Sequence, residues 1–224
     1  MSRIRQHVNP LAIKFQKPIA IPDWQSIFDR GDRDFYLDIG CARGRFLLEM
    51  AQQNPNVNYL GIEIRKPLVE LANLDRDRLS LTNLHYLFGN INSSAKVLLE
   101  SLPQNIKTIS VQFPDPWFKK KHYKRRVVQP ELVTILVDYL AEGGAVFLQS
   151  DIKEVAVEMR DRFGADLRLI QQHESQWLET NPLSVPTERE LHVLSQNLPV
   201  YRVLFQKSTG QDIYSRTKLN DRQT

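Results

Sequence analysis

Carboxylates close two short apolar runs of this chain: Asp38 in Asp38-Ile39-Gly40-Cys41-Ala42-Arg43-Gly44 and Glu63 in Gly61-Ile62-Glu63-Ile64. A glycine turn between a strand and a helix brings backbone N–H groups close to a ligand at the helix N-terminus, with Gly40 and Gly44 allowing the tight path. Such a turn is common and says little alone. Glu63 gives it weight, because a carboxylate ending the second strand can accept two hydrogen bonds from a ribose diol. The nicotinamide fingerprint G-x-G-x-x-G is disfavoured, since Ala42 and Arg45 occupy its second and third glycine positions. Asn90, in Phe88-Gly89-Asn90, is placed either to meet an adenine ring or to serve as a plain turn residue, and the residues leave both open.

The most informative segment follows a later apolar run: Phe113-Pro114-Asp115-Pro116-Trp117-Phe118-Lys119-Lys120-Lys121-His122-Tyr123-Lys124-Arg125-Arg126. Pro114 and Pro116 stiffen the loop that carries Asp115. Lysines and arginines without an intervening acid, interleaved with Trp117, Phe118 and Tyr123, offer phosphate neutralisation and base stacking in one stretch. A charge run is usually a solvated face. Its place at the end of an apolar run weakens that reading here.

These residues need elements to hold them. Short apolar runs at Phe35 to Ile39, Tyr59 to Ile64, Leu84 to Phe88, Thr108 to Phe113, Ala145 to Leu148 and Tyr201 to Phe205 read as buried strands. Between them, Phe46, Leu47, Met50 and Ala51 share one helical face, as do Leu132, Val133, Leu136, Val137 and Leu140 behind a starting Pro130. Strands alternating with helices predict a doubly wound α/β fold, whose ligands bind beyond the carboxyl ends of the strands. Every candidate carboxylate sits at such an end. Residues 1–31, with Arg3, Arg5, Lys14 and Lys17 among prolines, read as a flexible basic arm, residues 32–207 as the domain, and 208–224 as a polar tail.

The chain has 224 residues, 42% hydrophobic content, a net charge of +4 and a pI near 9.2, which suits a polyanionic partner without demanding one. Cys41 is the one cysteine, so neither an internal disulfide nor a cysteine-based metal site is available. No apolar run reaches membrane-spanning length, and the composition predicts a cytoplasmic protein that does not enter the membrane.

The acid two residues before Gly40 resembles motif I of the class I methyltransferases, and the segment from Pro114 to Arg126 resembles the P-D-P-W-x-K-K-x-H-x-K-R-R signature of the bacterial tRNA (guanine-N7) methyltransferase family. Ser150-Asp151 and Thr187-Glu188-Arg189-Glu190 follow in the order that family shows. The resemblance implies a Rossmann-like fold with a mostly parallel seven-stranded sheet and helices on both faces. It implies S-adenosylmethionine as cofactor and tRNA as partner, with the methyl group going to N7 of guanine 46 in the variable loop. Asp38, Gly40, Gly44, Glu63, Asn90 and Asp115 would then line the cofactor site, with Asp115 also catalytic. Lys119, Asp151, Thr187, Glu188, Arg189 and Glu190 would form the guanine site, and Lys121, His122, Tyr123, Lys124, Arg125 and Arg126 the RNA-binding face. Two positions depart from the pattern: Ala42 replaces the middle glycine of motif I, and Phe118 stands where the family commonly has proline.

Guanine N7 carries an in-plane lone pair, so its attack on a sulfonium methyl removes no proton from that atom. The chemistry therefore calls for orientation and for stabilisation of the positive charge that develops on the ring, and for neither a histidine base nor a metal. Carboxylates at 115, 151 and 190 can accept from the N1–H and N2–H₂ edge, which adenine lacks. Two other readings compete. A methyltransferase for amino groups of adenine usually carries an N-P-P-Y type loop, from which Asp115 departs. A non-catalytic tRNA-binding relative would be expected to have lost Asp38, Glu63 or Asp115.

Overall fold

The computed structural model describes residues 8–209; Arg3, Arg5 and the remainder of the tail from residue 210 lie outside the described residues. Its strands are β1 (Phe35–Ile39), β2 (Asn58–Glu63), β3 (Leu84–Phe88), β4 (Ile106–Gln112), β5 (Leu140–Ser150), β6 (Leu169–Gln171) and β7 (Tyr201–Lys207). The helices are α1 (Trp24–Ile27), α2 (Arg45–Gln53), α3 (Lys66–Arg78), α4 (Ile91–Glu100), α5 (Pro130–Tyr139), α6 (Lys153–Gly164) and α7 (Glu188–Ser195). They build one seven-stranded sheet in the order β3-β2-β1-β4-β5-β7-β6. The first five strands in that order pair in parallel, while β7 runs antiparallel to both β5 and β6. The sheet is thus mixed, parallel where the carboxylates lie. Among the described residues no helix is long and apolar enough to cross a membrane.

Side-chain alternation along the strands produces two cores. Phe35, Leu37 and Ile39 of β1 join Leu60 and Ile62 of β2 against α4 and α5, while Tyr36 and Tyr59 point the other way onto Phe46, Leu47, Met50 and Ala51 of α2. Every residue of β1 and β2 is buried, which is why both read as unbroken apolar runs rather than alternating ones. Pro130 opens α5 as the sequence predicts, but Leu140 ends that helix and begins β5.

Two elements differ from the sequence reading. Residues assigned to the arm contribute to the main core: Ile19, Trp24 and Phe28 are buried there, the indole N–H of Trp24 donates to Ser101 at 3.0 Å, and the Ile19 amide donates to Ser94 at 2.8 Å. A domain boundary at residue 32 therefore cuts through a continuous packing unit. The second is β6, whose three residues are too few to show periodicity. At the other end, the Ser208 amide still donates to the Arg168 carbonyl at 2.7 Å, just inside the segment read as tail.

Candidate active site

The turn from β1 to α2 owes its shape to left-handed backbone at Gly40 (φ 85°) and Gly44 (φ 70°). The two serve different ends. A methyl group added at Gly40 would meet nothing within 4 Å, so the backbone there faces an open cleft. At Gly44 it would run into the ring of Tyr86, whose hydroxyl donates to the Gly44 carbonyl at 2.6 Å and seats α2 on β3. Ala42 lies between them at φ 50°, which explains why glycine is favoured at that position and what alanine there costs, about 1 kcal/mol of backbone strain.

Glu63 ends β2 with its side chain 3% exposed. One oxygen accepts the Ala42 amide at 3.0 Å, and the other accepts the Arg65 amide at 2.9 Å, while the Arg65 guanidinium forks across both at 2.9 and 3.0 Å. This carboxylate thereby ties the glycine turn to the second strand. A ribose diol would share or take over the lone pairs that Arg65 uses. Asp38 is buried beside it, accepting from the Ser110 hydroxyl at 2.5 Å and the Gln112 amide at 3.5 Å. Burial raises its pKa from 3.8 to about 6, against the two hydrogen bonds and with a smaller push from the charge of Glu63. Asn90 caps α4 by accepting the Asn92 amide at 3.1 Å and lines the same cleft as Glu63. Its amide also donates to the Pro10 carbonyl at 3.1 Å, bringing the N-terminal segment to the rim.

Two clefts meet at the ends of these strands. The first is lined by Gly40, Glu63, Gly89 and Asn90. The second is bordered by Asp38, Gln112, Asp151, Thr187 and Arg189. Asp115 lies on the wall common to both. Its loop is strained at either end, with Phe113 at φ 49° and Trp117 at φ 43°, and the Phe113 amide is pinned to the Gln149 carbonyl at 2.8 Å. Left-handed backbone at two aromatic residues persists only where the surroundings enforce it, as happens at functional sites. The charge of Asp115 also acts on Arg65, so the two carboxylates at the cleft share one cation.

The basic segment forms a short 3-10 turn, Lys120–Arg125. Lys119, Lys120, Lys121 and Lys124 are exposed, whereas His122, Tyr123 and Arg125 are half-buried. Arg126, assigned to the RNA-binding face by sequence, is instead 4% exposed. It donates to the Pro116 carbonyl at 2.7 Å and to Glu154 at 2.7 Å, pairs with Glu158, and stacks on Tyr123 at 3.9 Å. Its work is to hold the Asp115 loop from below. The aromatic rings are also partly engaged: Arg125 covers Trp117 at 4.9 Å and His122 meets its edge, leaving Phe118, at 65% exposure, as the open aromatic surface of the segment.

Of the residues assigned to a guanine site, Asp151, Thr187, Glu188 and Arg189 do border the second cleft. Asp151 is met by Arg189 at 2.5 Å, and Arg45 pairs with Glu188 across the cleft mouth. Lys119 borders neither cleft. Glu190 is turned inward, 1% exposed, accepting from Arg202 at 2.6 and 3.2 Å, Asn181 at 2.7 Å and Gln149 at 3.2 Å. It anchors α7 rather than facing a ligand. Arg65, Gln112 and Arg202 were not singled out by sequence. Only Arg65, two residues after Glu63, carried a local signal.

Comparison with known proteins places this geometry. Residues 32–203 match the family model described as "Putative methyltransferase". The chain is 54% identical over 204 residues to a tRNA (guanine-N(7)-)-methyltransferase of Microcystis aeruginosa, covering 91% of this chain and 97% of that protein. A protein of the same name from Synechococcus elongatus is 56% identical, with 91% and 95% covered. The chain belongs to the tRNA (guanine-N(7)-)-methyltransferase family. Among solved structures, the 16S rRNA methyltransferase KamB superposes with a TM-score of 0.54 at 18% identity, covering 85% of this chain and 95% of that one, and a methyltransferase from Pyrococcus furiosus with 0.53 at 17%, covering 83% and 80%. At such identities the likeness is one of fold, and it makes the sheet of this family member that of the Rossmann-like methyltransferases.

Proposed function

We propose that this protein methylates N7 of a guanine in tRNA, at position 46 of the variable loop, using S-adenosylmethionine, and that it does so in the cytoplasm. The observation that carries the reading is Asp115 on the wall between two clefts, where one substrate in each can be brought together. The residues present fit the cofactor: Gly40, common to both clefts, leaves the backbone open, Glu63 offers a buried carboxylate for a ribose, Asn90 borders the far end of the first cleft, and Asp38, on the adjoining second cleft, suits a cationic group. Bound there, S-adenosylmethionine supplies an electrophilic methyl group on sulfur.

What the chain contributes is position and charge. Asp115, carried on a strained and doubly pinned loop, holds a negative charge beside the second cleft, where guanine becomes cationic as N7 is alkylated. Asp151 and the Thr187 cap of α7 border the same space and can accept from the guanine edge. The exposed Lys119, Lys120, Lys121 and Lys124 give the tRNA backbone a landing strip beside it. Labelled S-adenosylmethionine and unmodified tRNA, followed by nucleoside analysis, should give 7-methylguanosine in the variable loop. Label in another nucleoside, or none, would overturn the reading.

Two consequences are measurable. Replacing Lys121, Lys124 and Arg125 together by alanine is expected to raise the KM for tRNA and reduce the slope of log affinity against log salt by about 2 to 3, since each lost phosphate contact removes close to one unit. Cofactor affinity should not change; an unaltered salt slope would make the segment a solvated face. Arg126 is left out of this set because removing it would disturb the Asp115 loop.

Asp38 predicts a pH dependence. With its pKa raised to about 6, it is ionised at pH 7.5 and takes up a proton as the pH falls through 6. The ammonium group of the cofactor's methionine end favours the ionised form, so cofactor affinity should fall below pH 6, approaching tenfold per unit. Folding stability moves the opposite way for this group, growing as pH falls from about 6 toward 3.8, because the folded state binds the proton more tightly. Calorimetric titration between pH 5 and 8 tests the first statement, and Asp38→Asn should flatten the profile; a wild-type affinity independent of pH would remove Asp38 from the site.

A further inference from the structure

Gln112 ends β4 beside Gln149 on β5, and the direction of both side-chain amides is dictated from one side. The Glu190 carboxylate, held by Arg202 and Asn181, only accepts, so Gln149 must turn its N–H₂ group toward it, at 3.2 Å. The same nitrogen donates to Gln112 at 2.8 Å, so Gln112 must present its oxygen there. This direction is imposed rather than chosen by Gln149, because it leaves the buried side-chain oxygen of Gln149 without a donor.

With its oxygen taken, Gln112 turns its N–H₂ group away from Gln149, toward Asp38 and the second cleft, which Gln112 borders half-buried. The nitrogen has one acceptor among the described residues, Asp38 at 3.5 Å, a distance beyond that of a good hydrogen bond. An amide nitrogen carries two hydrogens, so a donor of fixed direction is left for an acceptor in the cleft. Each arginine that borders this cleft is already paired with an acid.

The sheet order indicates which acceptor that would be. β4 lies between β1 and β5, so Gln112 stands between Asp38 and Asp151, which follows β5. Around the guanine ring N7, O6 and N1–H follow one another in the same sense. With N7 turned to the cofactor, whose cationic end suits Asp38, and N1–H turned to Asp151, O6 falls at Gln112. O6 only accepts, whereas adenine carries an amine at that position.

We propose that Gln112 is a specificity-determining residue whose amide N–H₂ donates to O6 of the target guanine. This rests on the reading above, in which the second cleft takes the base. Together with carboxylates that accept from the N1–H and N2–H₂ groups, this donor completes a set that guanine matches throughout, and it meets the amine of adenine with a second donor.

The test is kcat/KM for tRNA carrying either guanine or 2-aminopurine, which lacks O6, at the target position. Gln112→Met should lower the value for guanine about tenfold, the effect of one desolvated hydrogen bond, and leave that for 2-aminopurine within about twofold. The N1–H that 2-aminopurine also lacks is lost alike to both enzymes and drops out of the comparison. The Kd of S-adenosylhomocysteine, measured by calorimetry, should stay within about twofold. Gln112→Asn withdraws the amide by one methylene and should give the same pattern, which keeps the test open if Gln112→Met does not fold. Equal losses on the two bases, or none, would make Gln112 a structural residue and overturn the proposal. So would a loss confined to S-adenosylhomocysteine affinity, which would give the amide to the carboxylate of the cofactor's methionine end. Failure of the underlying reading looks different: the wild type would then bind no S-adenosylhomocysteine or methylate no tRNA.

Discussion

Asp115→Asn is expected to slow methyl transfer about 100- to 1,000-fold with both substrates saturating, the range over which a single preorganised electrostatic contact acts on a chemical step. The substitution keeps the shape of the side chain and one acceptor oxygen, and Pro114, Pro116, the Gln149 carbonyl and Arg126 continue to hold the loop. What disappears is the negative charge on the wall between the two clefts, where the proposed reading places the guanine that becomes cationic. Asp115 also acts on Arg65, which braces Glu63, so some loss of cofactor affinity is expected as well; saturating the cofactor removes it from the measurement. Single-turnover rates then report chemistry alone. Binding of tRNA should survive, because in the proposed reading it rests on the exposed lysines. A near-normal rate would shift the electrostatic role to Asp151, which borders the second cleft, and not to Glu190, which is buried away from it.

The parts of the site that sequence revealed share a physical cause. Parallel strands buried on both faces must be apolar along their whole length, so the carboxylates at 38, 63 and 115 stand out near the ends of strands, where folds of this kind bind their ligands. Partnership over long sequence distance leaves no such mark. Arg126 belongs by spacing to a basic run, and only the fold brings Glu154 and Glu158 to it. The sequence suggests a short helix around Trp24 to Phe28, which the structure has as α1, but not that Ile19, Trp24 and Phe28 pack into the main core, because their partners lie far along the chain. Thr187 and Glu190 have the spacing of a capping box, and the structure realises half of it: Thr187 caps α7, while the Glu190 carboxylate turns inward to an arginine twelve residues away.

That inward turn makes a large effect on stability the expected result at a position with no part in the clefts. Arg202 and Glu190 form a pair 6% and 1% exposed, and removal of one partner from such a pair leaves an uncompensated buried charge. Arg202→Met should therefore cost about 3 to 5 kcal/mol, read as a fall of roughly 6 °C or more in Tm for a chain of this size. Adding Glu190→Met removes the stranded carboxylate and should recover a good part of the loss, because replacing both ions by apolar side chains of similar volume is often near neutral. Recovery will be incomplete: Asn181 and Gln149 each lose an acceptor, at about 1 kcal/mol or more apiece. The two substitutions are thus expected to be strongly non-additive, with the double variant more stable than Arg202→Met alone. Chemical denaturation of the wild type, both single variants and the double variant closes the cycle. Additive losses would mean that the two side chains do not act as a pair.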